Sequence, residues 1–271
     1  MKYSVLITVY RNDNPEYFRK ALLSMIKQTK QPDEIVLVKD GAVPSEIQDV
    51  IDELDAKYPH MIVQVQLEKN VGLGLALNEG IKICRNELIA RMDSDDISSP
   101  TRCEKQVAEF KKNLALDIIG CQVIEFVDEP NNKVGKRDVP LDNNSIHEYC
   151  KKRDPFNHPT VMYRKSKVEA VGCYGDLRKN QDTDLWIKLL SNGAVCANLP
   201  EYLLKFRFDE GTYKKRKNWL NTHLLIGIRW RAFRSGFCSI IDFFEVAIMQ
   251  MAIYIMPVKF QEFIYKKLLR R

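Results

Sequence analysis

The residues with the greatest chemical potential are Asp93, Ser94, Asp95 and Asp96, which close the apolar run Leu88–Met92. Three carboxylates in four positions repel one another unless a cation lies among them. If the strand continues by one residue, Asp93 and Asp95 point to the same side, because side chains alternate with period two. Mg²⁺ or Mn²⁺ favours a few carboxylates together with phosphate oxygens and water. A cation held there can grip a diphosphate and neutralise it as a leaving group. The competing reading is a solvated acidic turn that caps a helix opening at Pro100. The position at the end of an apolar strand favours the metal. Arg91, inside that strand, is then a partner for a carboxylate or a phosphate.

Positioning such a cluster takes a sheet, and the first half of the chain alternates strand and helix. Val5–Val9, Glu34–Val38, Ile62–Leu67, Leu88–Met92 and Ile118–Val127 read as strands. Between them, helices are expected from Pro15 to Thr29, over 45–57, from Asn70 to Arg85 despite Gly72, Gly74 and Gly80, and from Pro100 to Lys112. Units of this length predict an α/β fold with a parallel sheet, right-handed crossovers and helices on both faces. Ligands in such sheets bind beyond the carboxyl ends of the strands. Thr8, Tyr10, Asp40 and the acidic cluster all fall at strand ends, although Asp40 before Gly41 also suits a plain turn. Residues 129–158, rich in Pro and Asn, read as loop. Ser166–Val171 and Gln181–Asn192 read as helices, Val195–Leu199 and Tyr202–Phe206 as short strands.

The 271 residues suffice for one α/β domain and an appendage. Seven scattered cysteines without CxxC spacing imply reduced thiols in a cytoplasmic protein, not a disulfide framework or a zinc site. The opening MKYSVLITVY lacks the apolar stretch and cleavage site of a signal peptide and reads as a buried strand. The net charge of +6 is unevenly spread. Residues 211–271 hold twelve Lys/Arg and three Asp/Glu, a balance of +9, which leaves −3 for the other 210. A basic tail implies an anionic partner, membrane lipid or nucleic acid. Phe237–Met256 has the length of a membrane span but contains Asp242 and Glu245. A central Asp costs about 2.5–3.5 kcal/mol of insertion free energy. A segment lying in the interface fits better, continued by an aromatic, basic helix over Phe260–Arg271. The alternative is an ordinary helix packed on the domain.

In order along the chain, VLITVYRNDN, SMIKQTKQPDEIVLVKDGA, NVGLGLALNEGI, IARMDSDDISSPTRCEKQ, FNHPTVMYRKSKVEAVGCYG and DTDLWIKLLSNG resemble the family 2 glycosyltransferases, which have the GT-A fold. The resemblance spans about residues 3–207 and is nearest to bacterial enzymes that build capsule, O-antigen and exopolysaccharide repeat units. It implies a GT-A domain over 1–210 and a helical, membrane-associating tail over 211–271. It also implies inverting transfer of a hexose from a UDP-sugar to an undecaprenyl-diphosphate-linked saccharide, with Mn²⁺ or Mg²⁺, at the inner face of the cell membrane. At matching positions, Thr8 and Asp40 would contact uracil and ribose, with Tyr10 beside them. Asp93 would sit near ribose and metal, Asp95 would ligate the metal directly, and Asp96 could share that duty. Asp182 would be the general base, with Asp184 as the alternative and Gln181 standing where the family has Glu. His158 would contact acceptor or phosphate unless it is a satisfied core residue. Arg207, Lys214, Lys215 and Arg216, around Tyr213, resemble a closing loop over the diphosphate. Two rival classes are weaker. A metal-dependent nucleotidyltransferase would show a Gly- and Lys/Arg-rich phosphate loop, which LITVYRND lacks. A nucleic-acid-binding protein would place the tail's large apolar residues in a base-reading context, and none is visible.

Overall fold

The computed structural model describes residues 1–208 and 218–257. The parallel part of the sheet comprises β1 (Tyr3–Val9), β2 (Glu34–Lys39), β3 (Ile62–Gln66) and β4 (Leu88–Met92), in the order β3-β2-β1-β4. β1 shows why the sequence reads as a nearly unbroken apolar run. Val5, Ile7 and Val9 pack with α1 (Pro15–Ile26) and α2 (Ser45–Lys57), while Leu6 faces α3 (Leu73–Ile83) on the other side. The entry to α1 is fixed by Asn14, whose side chain accepts from the amides of Glu16 and Tyr17, with Pro15 at the first helical position.

Parallel pairing is interrupted after β4. The next strand in space is β8 (Met162–Arg164), antiparallel both to β4 and to β6 (Leu116–Phe126), so the sheet is mixed. The reversal follows from where β8 begins. A 3₁₀ turn at His158–Thr160 delivers the chain to the carboxyl end of β4, where the Arg91 amide donates to the Val161 carbonyl. β8 can then only run back. Val195–Leu199 and Tyr202–Phe206 are one strand, β9 (Val195–Arg207), which joins β6 in parallel and β5 (Ile97–Ser98) antiparallel. Its register shifts where Pro200 interrupts the ladder, since proline has no amide to donate.

The segment expected as loop holds two elements, β7 (Lys133–Arg137), paired with β6, and α5 (Asn143–Cys150). Its Asn and Pro residues are turn and cap formers, and Asp142 caps α5 by accepting from the Ser145 amide. The other helices are α4 (Arg102–Lys112), α6 (Lys165–Ala170), α7 (Gln181–Ser191), α8 (Trp219–Arg234) and α9 (Ile240–Ile255). α8 buries Ile228 and Ala232 in the same core as α5 and α7. α9 buries only Val246, and Lys152 bridges to its Asp242 and Glu245. No helix among the described residues is long and apolar enough to cross a membrane. All seven cysteines are free. The expected basic helix over 260–271 and the residues Tyr213–Arg216 lie outside the described residues.

α3 is seated on the sheet through Gly80. A Cβ there would stand 2.3 Å from Leu6 Cδ1 and 2.8 Å from Val38 Cγ2, both in fully buried side chains. Gly80→Val should therefore lower stability by about 1–3 kcal/mol, the usual cost of overpacking a core. A urea denaturation midpoint equal to the wild type's would show that α3 is not packed this closely.

Candidate active site

The acidic cluster stands at the carboxyl end of β4. Asp93, Asp95 and Asp96 each present a carboxylate oxygen, and these lie within 4.8 Å of one another. Asp96 is fully buried; its Oδ1 accepts from the Arg207 amide at 2.8 Å and its Oδ2 has no partner. Asp95 is exposed and Asp93 half-buried. Arg91, 1% exposed, donates from Nη2 to Asp93 Oδ1, while its Nε and Nη1 find no acceptor. Arg207, at the end of β9, braces the loop by donating from Nε to the Asp95 carbonyl at 3.0 Å. It lies over the Tyr17 ring, 3.5 Å from its centroid, and is thus a strut under the cluster.

Crowding shows in the protonation of these groups. Partial desolvation by the surrounding loop, then the charges of Asp93 and Asp13, pushes Asp95 up to about 7 although it still reaches solvent. Burial and the charges of Asp95 and Asp93 raise Asp96 as well. Asp13, which accepts from the Tyr10 amide at 3.0 Å, is raised to about 6, chiefly by burial. It is an acid of the cluster that the sequence reading passed over, although it stands in the VLITVYRNDN segment. Oxygens on opposite sides of a cation with bonds of about 2.1 Å stand about 4.2 Å apart. The carboxylate oxygens of this set, within 4.8 Å of one another, are close to that spacing. An orphaned buried carboxylate oxygen among like charges is what a divalent cation would satisfy. The residues fit one.

β1 and β2 lie on one side of β4 and bring Thr8, Tyr10 and Asp40 there. Thr8 is half-buried and Tyr10 exposed at the strand end. Asp40 reaches across to the loop before α3, accepting from Val71 N at 2.7 Å, Asn70 Nδ2 at 2.8 Å and Gly72 N at 3.0 Å. Gly72, with φ of +95°, gives that loop a backbone conformation that L side chains rarely adopt. Asp40 thus shapes a concave edge beside β1 as well as standing in it.

β8 lies on the other side of β4 and brings His158. His158 Nε2 is 2.9 Å from Tyr174 Oη, and its ring meets Trp186 edge-on at 5.7 Å. Burial and the Arg91 charge hold its pKa well below the usual range, so the imidazole is neutral. Arg102, fully buried in the first turn of α4, donates to the carbonyls of Pro159 and Arg91 and ties this turn to β4. Asp182 sits in the first turn of α7, where Oδ1 accepts from Thr183 N at 2.9 Å. Burial, reinforced by the charge of Asp154, raises it to about 7. Asp154 accepts from Thr183 Oγ1 at 2.6 Å. Asp184 is engaged elsewhere, by Lys188 Nζ at 2.7 Å and Arg231 Nη2 at 2.9 Å. Gln181 packs against Gly74 of α3.

Arg91, Asp93, His158 and Asp182 line one cavity of about 1010 Å³. Thr8, Tyr10 and Asp40 are not on its wall; they stand across β4, so the two groups flank the acidic cluster. The cavity also has a basic run, Lys152 and Arg153, and Arg229 from α8. The sequence signal for Lys152 and Arg153 was the charged stretch Lys151–Asp154 immediately before Pro155-Phe156-Asn157-His158. Such an arrangement can hold a metal-bound anion at one end and accept a proton at Asp182.

The fold and this site define a sugar-nucleotide-dependent transferase class, and the sequence comparisons agree. Glycosyl transferase family 2 matches residues 4–172, more than half the chain, and the chain belongs to that family. It is a glycosyltransferase of the hexosyltransferase kind with the GT-A fold. It is 37% identical over 270 residues to UDP-Gal:alpha-D-GlcNAc-diphosphoundecaprenol beta-1,3-galactosyltransferase of Escherichia coli, covering all of this chain and 97% of that enzyme. It is 38% identical over 268 residues to the amylovoran biosynthesis glycosyltransferase AmsE of Erwinia amylovora, covering 98% of each. Among solved structures, S. aureus TarS 1–349 in complex with UDP-GlcNAc superposes with a TM-score of 0.66 at 19% identity, over 98% of this chain and 73% of that one. Mannosyltransferase PcManGT from Pyrobaculum calidifontis, in complex with GDP-Man and Mn²⁺, gives 0.66 at 14% identity, over 94% and 70%. At such identities these two share the fold alone.

The raised pKa of Asp182 has a sign that can be measured. Its folded value of about 7 exceeds the unfolded 3.8, so the folded state binds more protons between those values. The stability this group contributes is present at low pH and is lost as pH rises from about 4 to 7. Asp182→Asn should escape that loss. In chelator, its denaturation midpoint should climb relative to wild type over this window and stay above it at pH 8. Parallel curves would mean that Asp182 is not desolvated.

Proposed function

We propose that this enzyme transfers a hexose from a UDP-sugar to a hydroxyl of an undecaprenyl-diphosphate-linked saccharide, with inversion. The observation that carries the reading is the cavity that joins Asp93 of the acidic cluster to Asp182. In it, a donor diphosphate and an acceptor hydroxyl meet from opposite sides of β4. Thr8, Tyr10 and Asp40 hold the nucleoside, and Asp93, Asp95 and Asp96 face its diphosphate. A Mn²⁺ or Mg²⁺ held by these carboxylates would supply positive charge against the leaving diphosphate. Arg91 fixes Asp93 and keeps two buried N–H-bearing nitrogens, Nε and Nη1, without an acceptor. Asp182 takes the proton of the acceptor hydroxyl as its oxygen attacks the anomeric carbon opposite the leaving group. A carboxylate that titrates near 7 is a stronger base than an ordinary one and is ionised in a large fraction near neutral pH. Neutral His158 is placed to contact acceptor or phosphate without adding charge.

The relatives' names support this choice of donor and acceptor: the E. coli enzyme uses UDP-Gal and a GlcNAc-diphosphoundecaprenol. The division into a catalytic domain, 1–210, and a tail, 211–271, gives the tail a role at the membrane that carries such an acceptor. On α9, Ile241, Phe244, Ile248 and Ile255 are 66%, 54%, 67% and 72% exposed and recur at helical spacing. The two acids of that helix turn instead to Lys152, at 3.3 Å and 2.6 Å. The outward stripe is therefore free of charge, and the +9 of residues 211–271 favours an anionic leaflet at about 1 kcal/mol per basic residue near the surface. The enzyme is peripheral, at the cytoplasmic face of the membrane.

Three tests follow from this assignment. Asp95→Asn should abolish Mn²⁺-dependent UDP binding in calorimetry, whereas Asp182→Asn should keep it and lose transfer by about 10²–10⁴-fold. Wild-type transfer should also rise with pH through about 7 as Asp182 ionises. Near-normal turnover by Asp182→Asn would remove it as the base. For the tail, the triple change Ile241→Gln, Phe244→Gln, Ile248→Gln should end flotation with anionic liposomes while UDP binding persists. Undiminished flotation would show that the stripe does not meet lipid.

A further inference from the structure

The cavity that holds Asp182 has a second wall that the transfer chemistry leaves unused. Lys136 of β7, Lys152 and Arg153 after α5, and Arg229 of α8 bring positive charge to it. The acids on that wall already have partners. Asp138 accepts from Tyr202 Oη at 2.6 Å, Asp154 from Thr183 Oγ1 at 2.6 Å, and Glu245 from Lys152 Nζ at 2.6 Å.

Three of the cations are not so matched. Arg153 is exposed and makes no ion pair or side-chain hydrogen bond among the described residues. Lys136 stands 4.8 Å over the Tyr202 ring and pairs with no acid among them. Arg229 is 2% exposed; its Nη1 donates to the Cys150 carbonyl and its Nε has no partner. A buried guanidinium N–H without an acceptor is costly unless a ligand supplies one. Lys152, held by Asp242 and Glu245, braces the loop to α9.

What adjoins these cations identifies the ligand. Val246 and Met249 of α9 line the same cavity, and Met249, 49% exposed, is next in sequence to Ile248 of the outward stripe. The cavity wall thus includes a carboxylate at Asp182, unmatched cations, and apolar side chains that open onto the exposed face of a helix. That set fits an amphiphile with a hydroxyl-bearing head, an anionic neck and a hydrocarbon chain.

We propose that Lys136, Arg153 and Arg229 bind the diphosphate of the lipid-linked acceptor, with Val246 and Met249 receiving the first carbons of its chain. The proposal rests on the acceptor reading given above and adds the side chains that recognise its neck. Arg229 is a fixed donor at the back of the site, while Arg153 and Lys136 close on the outer oxygens. The donor's diphosphate belongs to the acidic cluster, so the two diphosphates occupy separate places.

Farnesyl diphosphate, a short isoprenyl diphosphate with no sugar, is the probe. Calorimetry on the full chain should show it binding wild type, with farnesol binding far more weakly. Arg153→Glu should weaken the diphosphate by roughly tenfold or more, the scale of losing one charge-assisted contact and gaining a repulsion. Lys136→Glu, at another exposed position, should weaken it too. UDP with Mn²⁺ should bind all three proteins alike and leave farnesyl diphosphate affinity unchanged. Wild-type affinity in both variants, no binding by wild type, or displacement by UDP would each overturn the proposal. Failure of UDP with Mn²⁺ to bind wild type would instead refute the donor reading, and the farnesyl diphosphate titration would still be decided on its own.

Discussion

The structure is organised around a crowding of negative charge that it does not relieve by itself. Asp93, Asp95 and Asp96 stand within 4.8 Å of one another at the end of a strand that is buried throughout. Asp13 adds a further carboxyl nearby. Two arginines restrain this cluster from opposite directions. Arg91 rises from inside β4 to grip Asp93, and Arg207 arrives from the far end of β9 to hold the backbone of the loop. Neither neutralises Asp95 or the free oxygen of Asp96. The carboxylates are thus kept close at the expense of their own ionisation, the condition in which a divalent cation contributes most.

Everything around the cluster serves to reach it from two sides. The parallel strands β1 and β2 present Thr8, Tyr10 and Asp40 along one flank, as any α/β sheet presents its carboxyl edge. The other flank needs a strand that runs backward. β8 does so because Arg102 and Gln106 of α4 bond the carbonyls of Pro159 and Thr160 and hold the turn that starts it. Two buried side chains of one helix therefore determine where His158 stands relative to β4. α7 then brings Asp182 to the same cavity through its contact with Gly74 of α3.

How much of this was legible in the sequence depends on the range of the interactions. The strand–helix alternation of the first half and the acidic cluster are local, written in runs of five to twelve residues with clear periodicity. β8 was not legible, since three residues between a proline turn and a helix carry no period. β7 and α5 were hidden by the Asn and Pro residues of the turns around them and by the two Asn that open α5. Asp182 was reachable only through the resemblance of DTDLWIKLLSNG to a family segment, because nothing in its neighbourhood distinguishes a base from a helix-start residue. Asp154, which tunes it, is joined to it through a contact spanning 29 positions. Arg153 and Arg229 likewise come to one cavity wall only in three dimensions.

The thin attachment of α9 has a consequence for where the enzyme is complete. That helix buries one side chain, Val246, against the body and is held beyond that by α8 and by a single lysine. A wall fastened so lightly opens at small free-energy cost and belongs to the least stable part of the molecule. On the proposed docking of its outer stripe, the bilayer would be a component of the fold as well as a place of work. Pressing on that stripe, it would close a wall of the cavity that the polypeptide leaves loosely fastened.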